Sequence, residues 1–443
     1  MIKKFNKING KKIISVIIIL VVIMNIIYNE KIIEELRKIK RKLMEPIFSD
    51  GTINNEYFDI DSNGNMPKET TKGLNEAIEY AFQNNITDLK LQNGIYTVIG
   101  YNNSHYRGIS LKSNINLDLN GSVIIQEAND NVTYANITMY NIENVKISNG
   151  IIAGEKEQHI YNKDNGDTHE WGYGIHIVGS NNITLSNLKI YNMTGDGIDI
   201  CSINKGEKTP ENIVIENCNI FECRRQGITI ECGKSIIIRN NEIHNIQGTA
   251  PQAGINLEGN FKSELIDNVI IEENKIYMSE SETALLLVGF INNVEIRENE
   301  IEQNILIYDA KDKIAFCDNK IKNSTIKFSN NYTNIKAGHN IKDLLFVNNY
   351  MENTKVMLSK IEYAIIQNNS VINGNIKVES SNCQINNNII KSNIDWFEVG
   401  IELSNISGHT EKYNAWIYDN TIIGNYKNLI TVDEKFYTAK YVK

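Results

Sequence analysis

The stretch Ile238-Arg239-Asn240-Asn241-Glu242-Ile243 recurs with small changes through the second half of the chain. Glu replaces the first Asn in the copies at 271–276 and 296–301. Further copies surround Asn319, Asn349, Asn369, Asn388 and Asn420, at irregular intervals of roughly twenty to thirty residues. One copy is too short to bury its apolar face alone, so neighbouring copies must stack. Because the strands are rich in β-branched residues and lack a helical period, the repeat predicts an all-β solenoid, a parallel β-helix.

The second Asn of each copy defines a column that begins at Asn241 and ends at Asn420. Asn tolerates left-handed backbone conformations, and its amide can bond to neighbouring backbone groups. In stacked coils, one such Asn per coil can form a ladder with the next. Upstream the column reads Gly150, Leu188 and Cys218, so we expect the ladder to be absent there. A mere abundance of Asn would not preserve the apolar residues on both sides of each copy.

Charge divides the 443-residue chain into two parts. Residues 1–48 contain eleven Lys and Arg and four Asp and Glu, which gives this part a net charge of +7. Because the whole chain has a net charge of −9, the remaining residues carry −16. An acidic body argues against nucleic acid as a partner, because nucleic-acid binding needs a basic surface. A polyanionic sugar would need a local basic pocket or bridging cations.

Four of the six cysteines, Cys201, Cys218, Cys223 and Cys232, fall within three consecutive predicted coils. Small buried residues of this kind commonly fill a core, and the sequence leaves a disulfide open. The Cys-x-x-Cys spacing typical of zinc sites is missing, so no metal ligands are predicted among them.

An apolar segment at residues 13–28 follows five lysines and predicts a retained signal anchor, with the N-terminus inside and the body outside the membrane. A cleaved signal peptide, which would give a secreted protein, is the alternative. Apolar residues at helical spacing in 29–44 predict a stalk helix. We therefore divide the chain into an anchor and stalk (1–48), a linker (49–69) and a β-helix domain (70–443).

A helix is predicted from Thr70 or Thr71 to about Gln83, where it would cover the exposed end of the solenoid. The sequence LQNGIYTV at 91–98 follows it. This combination is similar to the start of many proteins of the pectin-lyase-like superfamily, and the resemblance extends over most of residues 70–430. It implies a right-handed parallel β-helix with an N-terminal capping helix, and it says little about chemistry.

Four consecutive predicted coils carry matching strands that begin at Gly174, Gly197, Gly227 and Gly254. Side chains alternate between the two faces of a strand, so one set should point outward in a column. That column consists of His176, Asp199, Thr229 and Asn256, and a second outward column consists of Val178, Cys201, Glu231 and Glu258. The glycines are expected to leave the strand starts bare, so that a ligand could approach closely.

The largest insertion between coils, at about 154–173, precedes these strands. Trp171 and Tyr173 have flat faces and polar edges that suit stacking on a sugar ring. Asp164, Asp167 and Glu170 could hold Ca²⁺, although no strict ligand spacing supports it. His169 and His176 could transfer protons.

The sequences Gly195-Asp196-Gly197-Ile198-Asp199-Ile200 and 225–230 look like the polygalacturonase pattern Gly-Asp-Asp-Cys-Ile followed by Gly-His-Gly-Ile-Ser. The resemblance places the second Asp of that pattern on Asp196. Gly195 stands where the first Asp belongs, Gln226 stands where the His belongs, and the later Arg-Ile-Lys motif is missing. Inverting hydrolysis needs two carboxyl groups, so a standard polygalacturonase is not expected.

Uronate epimerases and lyases of the same fold remain open, because they need a base and a cation rather than two carboxyl groups. We therefore expect a membrane-anchored, extracytoplasmic β-helix protein that acts on a polysaccharide as a lyase, epimerase or hydrolase. A non-catalytic glycan-binding or structural solenoid is the alternative. The candidate catalytic residues are Asp199, Glu231, Arg225, Asp196, His176 and His169, and the candidate substrate-binding residues are Trp171, Tyr173, Arg224, Gln226, Asn256 and Glu258.

Overall fold

The computed structural model describes residues 41–442, apart from 103–104, 163–166, 280–281, 330–340, 395–396 and 407–409, and before them Ile32, Glu35 and Lys38. The predicted anchor at 13–28 and most of the predicted stalk lie outside these residues. Within the described part of the chain, no helix has the length and apolar character needed to cross a membrane.

The protein is a solenoid of parallel strands wound around one apolar interior. A 25-stranded sheet and a 13-stranded sheet form its walls, and a short antiparallel pair lies outside them. The helix that directly precedes the first coil is α1 (Pro67–Gln83). The 13-stranded sheet contains β5 (Ile109–Ser110), β8 (Thr133–Tyr140), β10 (Trp171–Val178), β12 (Asp196–Cys201), β15 (Gln226–Ile230), β18 (Ala253–Gly259), β21 (Thr283–Gly289), β24 (Asn304–Tyr308), β27 (Thr325–Ser329), β30 (Lys355–Ser359), β33 (Asn375–Glu379), β36 (Val399–Ser404) and β39 (Asn428–Val432).

The 25-stranded sheet contains β1 (Asp88–Lys90), β2 (Ile95–Val98), β6 (Asn116–Asp118), β7 (Val123–Gln126), β9 (Glu143–Ala153), β11 (Asn181–Tyr191), β13 (Glu211–Glu216), β14 (Asn219–Phe221), β16 (Gly233–Arg239), β17 (Glu242–His244), β19 (Ile266–Glu272), β20 (Lys275–Tyr277), β22 (Ile291–Arg297), β23 (Glu300–Glu302), β25 (Ile314–Cys317), β26 (Lys320–Lys322), β28 (Ile341–Val347), β29 (Tyr350–Glu352), β31 (Ile361–Gln367), β32 (Ser370–Ile372), β34 (Asn382–Asn386), β35 (Ile389–Ser392), β37 (Tyr413–Tyr418), β38 (Thr421–Gly424) and β40 (Tyr437–Val442). The antiparallel pair is β3 (Tyr101–Asn102) and β4 (His105–Tyr106).

The predicted Asn ladder is confirmed over eight coils. Each side-chain Nδ2 donates to the Oδ1 of the next Asn at 2.9–3.0 Å, and each backbone N–H donates to the same oxygen at 2.9–3.1 Å. The ladder consists of Asn241, Asn274, Asn299, Asn319, Asn349, Asn369, Asn388 and Asn420. At its upstream end Asn241 accepts from the backbone N–H of Cys218, so the ladder begins where the sequence predicts.

The left-handed residue of each turn is the one before the ladder Asn, not the ladder Asn itself. Asn240 has a φ of 51° and Asn348 a φ of 58°. The conformational tolerance of Asn therefore does not explain the ladder position. Amide hydrogen bonding between buried coils explains it, because the ladder supplies partners to backbone groups that solvent cannot reach.

The capping helix is confirmed, but it begins one turn earlier than predicted. Met66 is the N-cap residue without a side-chain cap, and Pro67 begins the helix, where its missing N–H costs nothing. Thr70 does not cap the helix, because its hydroxyl donates to the carbonyl of Asp61. Leu74, Ala77, Ile78 and Ala81 are buried, as the predicted apolar face requires.

The segment interpreted as a linker packs onto the first coil. Ile53, Phe58 and Ile60 are buried in the main core cluster, and Thr52 forms a parallel bridge to Lys90. Residues before the helix thus help to cover the end of the solenoid.

Candidate functional site

The predicted outward column on the 13-stranded sheet has the predicted register. His176 pairs with Asp199, Asp199 with Thr229, and Thr229 with Asn256. The alternate residues, which include Ile175 and Ile198, are fully buried in the interior. Ser110 and Thr138 extend the column upstream, and Leu286 ends it downstream. An unbroken run of polar side chains on this face therefore spans the coils that the sequence indicated, and charged side chains return further along the column at Lys327, Lys377 and Glu402.

A cleft of about 780 Å³ lies over this face. Its floor includes His176, Asp199, Cys201 and Glu231, and Trp171 lies at its side with 37% of its surface exposed. The remaining lining residues are Arg107, Ser110, Leu111, Lys112, Thr138, Tyr140, Ile142, Tyr173 and Val178. The insertion at 154–173 therefore contributes aromatic side chains to the cleft, as predicted.

Sequence reasoning missed the wall formed by Arg107 and Lys112. Arg107 is exposed and Lys112 is half-buried, and Lys112 also forms an ion pair of 2.8 Å with Glu79 of α1. The only sequence signal was a pair of basic residues on either side of β5, and nothing in the local sequence relates them to the later strands that line the same cleft. Two basic side chains thus line the same cleft as the carboxyl groups of Asp199 and Glu231.

His176 and Asp199 form the closest polar contact in the floor of the cleft. Nδ1 of His176 lies 2.7 Å from Oδ2 of Asp199, and the ring of Tyr173 stacks on the imidazole at 4.9 Å and 14°. Tyr173 is only 4% exposed. Its ring therefore orients His176, and Trp171 is the aromatic residue with more surface available to a ligand.

Burial governs the charge of the floor. It lowers the pKa of His176 to about 4 and raises the pKa of Asp199 to about 7, although the charge of Arg225 partly opposes the second shift. Burial and the neighbouring Asp199 raise the pKa of Glu231 to about 8. The environment thus penalises several like charges here unless a cation joins them.

Asp196, the carboxyl group that the polygalacturonase resemblance indicates, is fully buried behind the floor. Its Oδ2 accepts from Arg225 at 3.0 Å and from the Thr229 hydroxyl at 2.8 Å. The same hydroxyl lies 2.6 Å from Oε1 of Gln226, which is also fully buried. Neither Asp196 nor Gln226 reaches the surface of the cleft.

Arg225 and the downstream polar residues also bind one another. The second guanidinium nitrogen of Arg225 lies 3.7 Å from Glu258, and Asn256 donates to the same carboxylate at 3.0 Å. Arg225 is therefore held between Asp196 and Glu258, one to two coils from the His176 contact.

The glycine column was expected to expose the strand starts, and that interpretation is wrong. A Cβ on Gly197 would lie 2.7 Å from Ile220 Cγ2, and one on Gly227 would lie 2.8 Å from Ile243 Cγ2. Both would also lie within 2.7 Å of a carbonyl oxygen on the next coil. The glycines therefore face the interior and permit close packing between coils, instead of opening space for a ligand.

Arg224 and His169 stabilise the insertion. Arg224 donates to the carbonyls of Thr168 at 2.8 Å and His169 at 3.1 Å, and its guanidinium lies 4.6 Å from the ring centre of Tyr161. Neither residue lines the cleft.

The sequence did not reveal a buried relay in the same insertion. Glu155 contacts Nδ1 of His159 at 3.0 Å, and Nε2 of His159 contacts Nδ1 of His169 at 2.9 Å. The other nitrogen of His169 lies 3.0 Å from the carbonyl of Asn162. The relay thus orders the loop, and a hydrogen bond of 3.0 Å from Asn129 to Glu155 joins it to the preceding coil.

The described residues show no Ca²⁺ site formed by the acidic residues of the insertion. Asp164 lies outside the described residues, Asp167 is exposed and Glu170 is half-buried. Among the residues that can be described, neither Asp167 nor Glu170 belongs to a group of three potential metal ligands.

The family described as "Right handed beta helix region" matches residues 77–276. Two proteins of Bacillus subtilis (strain 168) are similar in sequence. The SPbeta prophage-derived uncharacterized protein YorA is 32% identical over 225 residues, which cover 46% of this chain and 38% of YorA. The uncharacterized protein YclG is 30% identical over 206 residues, which cover 43% of this chain and 35% of YclG. The chain therefore matches well under half the length of either relative.

Two solved structures extend the likeness over most of the chain. The A-module of the Azotobacter vinelandii mannuronan C-5 epimerase AlgE4 has a TM-score of 0.53 at 14% identity, covering 86% of this chain and 98% of that module. The family 28 exopolygalacturonase of Yersinia enterocolitica has a TM-score of 0.55 at 11% identity, covering 89% of this chain and 78% of that enzyme. At these identities the likeness concerns the fold alone. The predicted parallel β-helix fold is thus confirmed: residues 77–276 match the right-handed β-helix family, and the fold as a whole is similar to those of the epimerase module and the exopolygalacturonase.

Proposed function

We propose that this chain acts on an acidic polysaccharide bound in the cleft over the 13-stranded sheet, and that it is held at a membrane with its body on the extracytoplasmic side. One observation carries the proposal. The cleft of about 780 Å³ combines a floor of His176, Asp199 and Glu231, an exposed Trp171 and a basic wall of Arg107 and Lys112. These are the group types that orient a sugar ring, hold a carboxylate and transfer a proton.

The arrangement favours uronate lyase or epimerase chemistry over polygalacturonase-type hydrolysis. Asp196, the carboxyl group that the hydrolase resemblance would use, is fully buried and bound by Arg225. His176 and Asp199, by contrast, line the cleft. They are positioned to exchange the proton beside a uronate carboxylate, and the basic wall would hold that carboxylate.

The alternative is a protein that binds glycan without turning it over. The contacts among the polar residues support it: Arg225 and Asn256 both contact Glu258, so these side chains already have partners and are not free to act on a substrate. Such a protein would retain the basic wall and Trp171 but would give no product.

The test begins with the full-length chain and a panel of acidic polysaccharides in D₂O, followed by proton NMR. Loss of the hydrogen beside the carboxylate is expected. A lyase eliminates it and gives an unsaturated uronate, an epimerase replaces it with deuterium in a saturated product, and a hydrolase gives new reducing ends while that hydrogen is kept. Binding without any of these outcomes would favour the non-catalytic alternative.

The position of the site is tested with Glu231→Gln. Glu402→Gln is the matched control, because Glu402 is a half-buried carboxyl in the same sheet, paired with Lys377 far from the cleft. Loss of turnover in Glu231→Gln alone is expected. Equal activity in both variants would contradict a catalytic role for this end of the floor.

A further inference from the structure

Three potential metal ligands from adjacent coils meet in the floor of the cleft. One ring nitrogen of His176, a carboxylate oxygen of Asp199 and Sγ of Cys201 all lie within 4.8 Å of one another. His176 and Asp199 are buried, and Cys201 is half-buried. No other group of three such side chains meets this distance within the described part of the chain. All three residues line the cleft, which provides an entry path from solvent.

A second observation shows that Asp199 lacks part of its coordination. Its Oδ2 contacts His176 and the Cys201 thiol, a weak donor, also interacts with this carboxyl, but among the described residues its buried Oδ1 receives no hydrogen bond of normal geometry. A buried carboxylate oxygen without a donor is costly. A cation between the three side chains would give that oxygen a partner.

The distribution of ion pairs around the cleft also favours a cation beside Asp199. Arg225 contacts Asp196 at 3.0 Å and Glu258 at 3.7 Å, whereas among the described residues neither Asp199 nor Glu231 forms an ion pair with Lys or Arg. Buried carboxyl groups remain ionised only where a positive charge compensates them. Arg225 thus makes its direct ion pairs with Asp196 and Glu258, and its charge acts on Asp199 and Glu231 only without direct contact.

We propose that His176, Asp199 and Cys201 bind one divalent transition-metal ion of the zinc type, with the remaining coordination position open to the cleft near Glu231. Imidazole nitrogen, carboxylate oxygen and thiolate sulfur together suit zinc, whereas Ca²⁺ prefers oxygen ligands. Tetrahedral zinc separates such ligand atoms by about 3.3–3.6 Å. The His176–Asp199 contact would therefore open by less than about 1 Å, and the Cys201 thiol would release its proton to solvent.

Such an ion would have a direct use in the cleft. It would polarise the carboxylate of a bound uronate and stabilise the charge that develops when the neighbouring proton is removed. This use rests on the proposed function. Metal binding itself does not, because it depends only on the three side chains.

The test titrates the reduced full-length chain, freed of metal by a chelator, with Co²⁺ in the absence of any polysaccharide. Thiolate-bound Co²⁺ absorbs strongly in the near ultraviolet. One equivalent should produce this absorption, and Zn²⁺ should displace it. Cys201→Ser should abolish the absorption, and Cys317→Ser is the matched control because Cys317 is also half-buried but lies on β25. His176→Ala should weaken Co²⁺ binding at least about tenfold.

The proposal is overturned if the wild-type chain gives no thiolate absorption, or if Cys201→Ser retains it. If the circular dichroism of Cys201→Ser shows that this variant does not fold, His176→Ala becomes the deciding variant. An unchanged affinity of His176→Ala for Co²⁺ would then overturn the proposal. Because no polysaccharide is present, failure here leaves the polysaccharide proposal standing. Failure of every polysaccharide in the panel would likewise leave the metal site standing.

Discussion

Replacing Asn349 with Leu should destabilise the β-helix without touching the cleft. Asn349 lies in the middle of the ladder, only 1% exposed. Its Nδ2 donates to Phe316 O and to Asn369 Oδ1, and its Oδ1 accepts from the backbone N–H and the Nδ2 of Asn319, each at 3.0 Å. Leu can replace none of these four hydrogen bonds.

The expected loss follows from two opposing contributions. Four buried hydrogen bonds at about 0.5–1.5 kcal/mol each sum to about 2–6 kcal/mol. Burial of the Leu side chain returns about 1.5–3 kcal/mol. We therefore expect Asn349→Leu to lower the free energy of unfolding by about 1–3 kcal/mol. The backbone N–H of Asn319 loses its side-chain acceptor, which places the damage on the adjacent coil as well.

Urea unfolding followed by circular dichroism measures this difference. Asn414→Leu is the matched control, because Asn414 is an exposed Asn on β37 and the same substitution there should change stability by less than about 0.5 kcal/mol. Asn369→Leu should reproduce the loss, since Asn369 makes the same type of bonds to Phe346 and Asn388. Unfolding midpoints unchanged within error for both Asn349→Leu and Asn369→Leu would refute the view that the ladder stabilises the fold.

Three further predictions concern packing, the insertion and the anchor. Gly227→Ala should lower stability by about 1–3 kcal/mol in thermal unfolding, because the added Cβ would lie 2.5 Å from the carbonyl of Gly254, and an unchanged Tm would contradict this packing role. Arg224→Ala should make the insertion at 154–173 more sensitive to limited proteolysis, since it removes the bonds to Thr168 and His169, while cleavage at the wild-type rate would mean that the relay alone orders the loop. Residues 13–28 should retain the full-length chain in the membrane fraction of cells; a full-length product in the soluble fraction would refute the anchor, and a mature N-terminus near residues 28–45 would indicate a cleaved signal.

The fold was predictable because its main signal repeats. The apolar residues on either side of Asn241 return in seven later coils, so the period, the ladder and its upstream limit at Cys218 could all be read from the sequence. The first turn of the capping helix was less predictable. Thr70 looks like a cap, but its hydroxyl bonds to Asp61, and that contact depends on how the preceding segment folds back.

The site was predictable only in the features that follow from strand register. Matching strands placed His176 beside Asp199, and the structure has this pairing. The spacing rule argued against zinc among the cysteines because it looks for ligands a few residues apart, so the grouping of His176, Asp199 and Cys201 was not predicted. In a solenoid, His176 and Cys201 are separated by one coil in sequence and by one strand spacing in space. The direction of the glycine column and the contacts of Arg224 depend on interior packing and loop conformation, which a single repeat pattern does not determine.

The most direct measurement of the central claim is the turnover of Asp199→Asn on the first acidic polysaccharide that the wild-type chain converts. Asn keeps the shape of the side chain and removes its charge, and Asp199 lies in the floor of the cleft, in contact with His176. We predict loss of turnover with little change in Tm. Full turnover in Asp199→Asn would contradict a catalytic site on this face, and a large fall in Tm without loss of turnover would make Asp199 a structural residue.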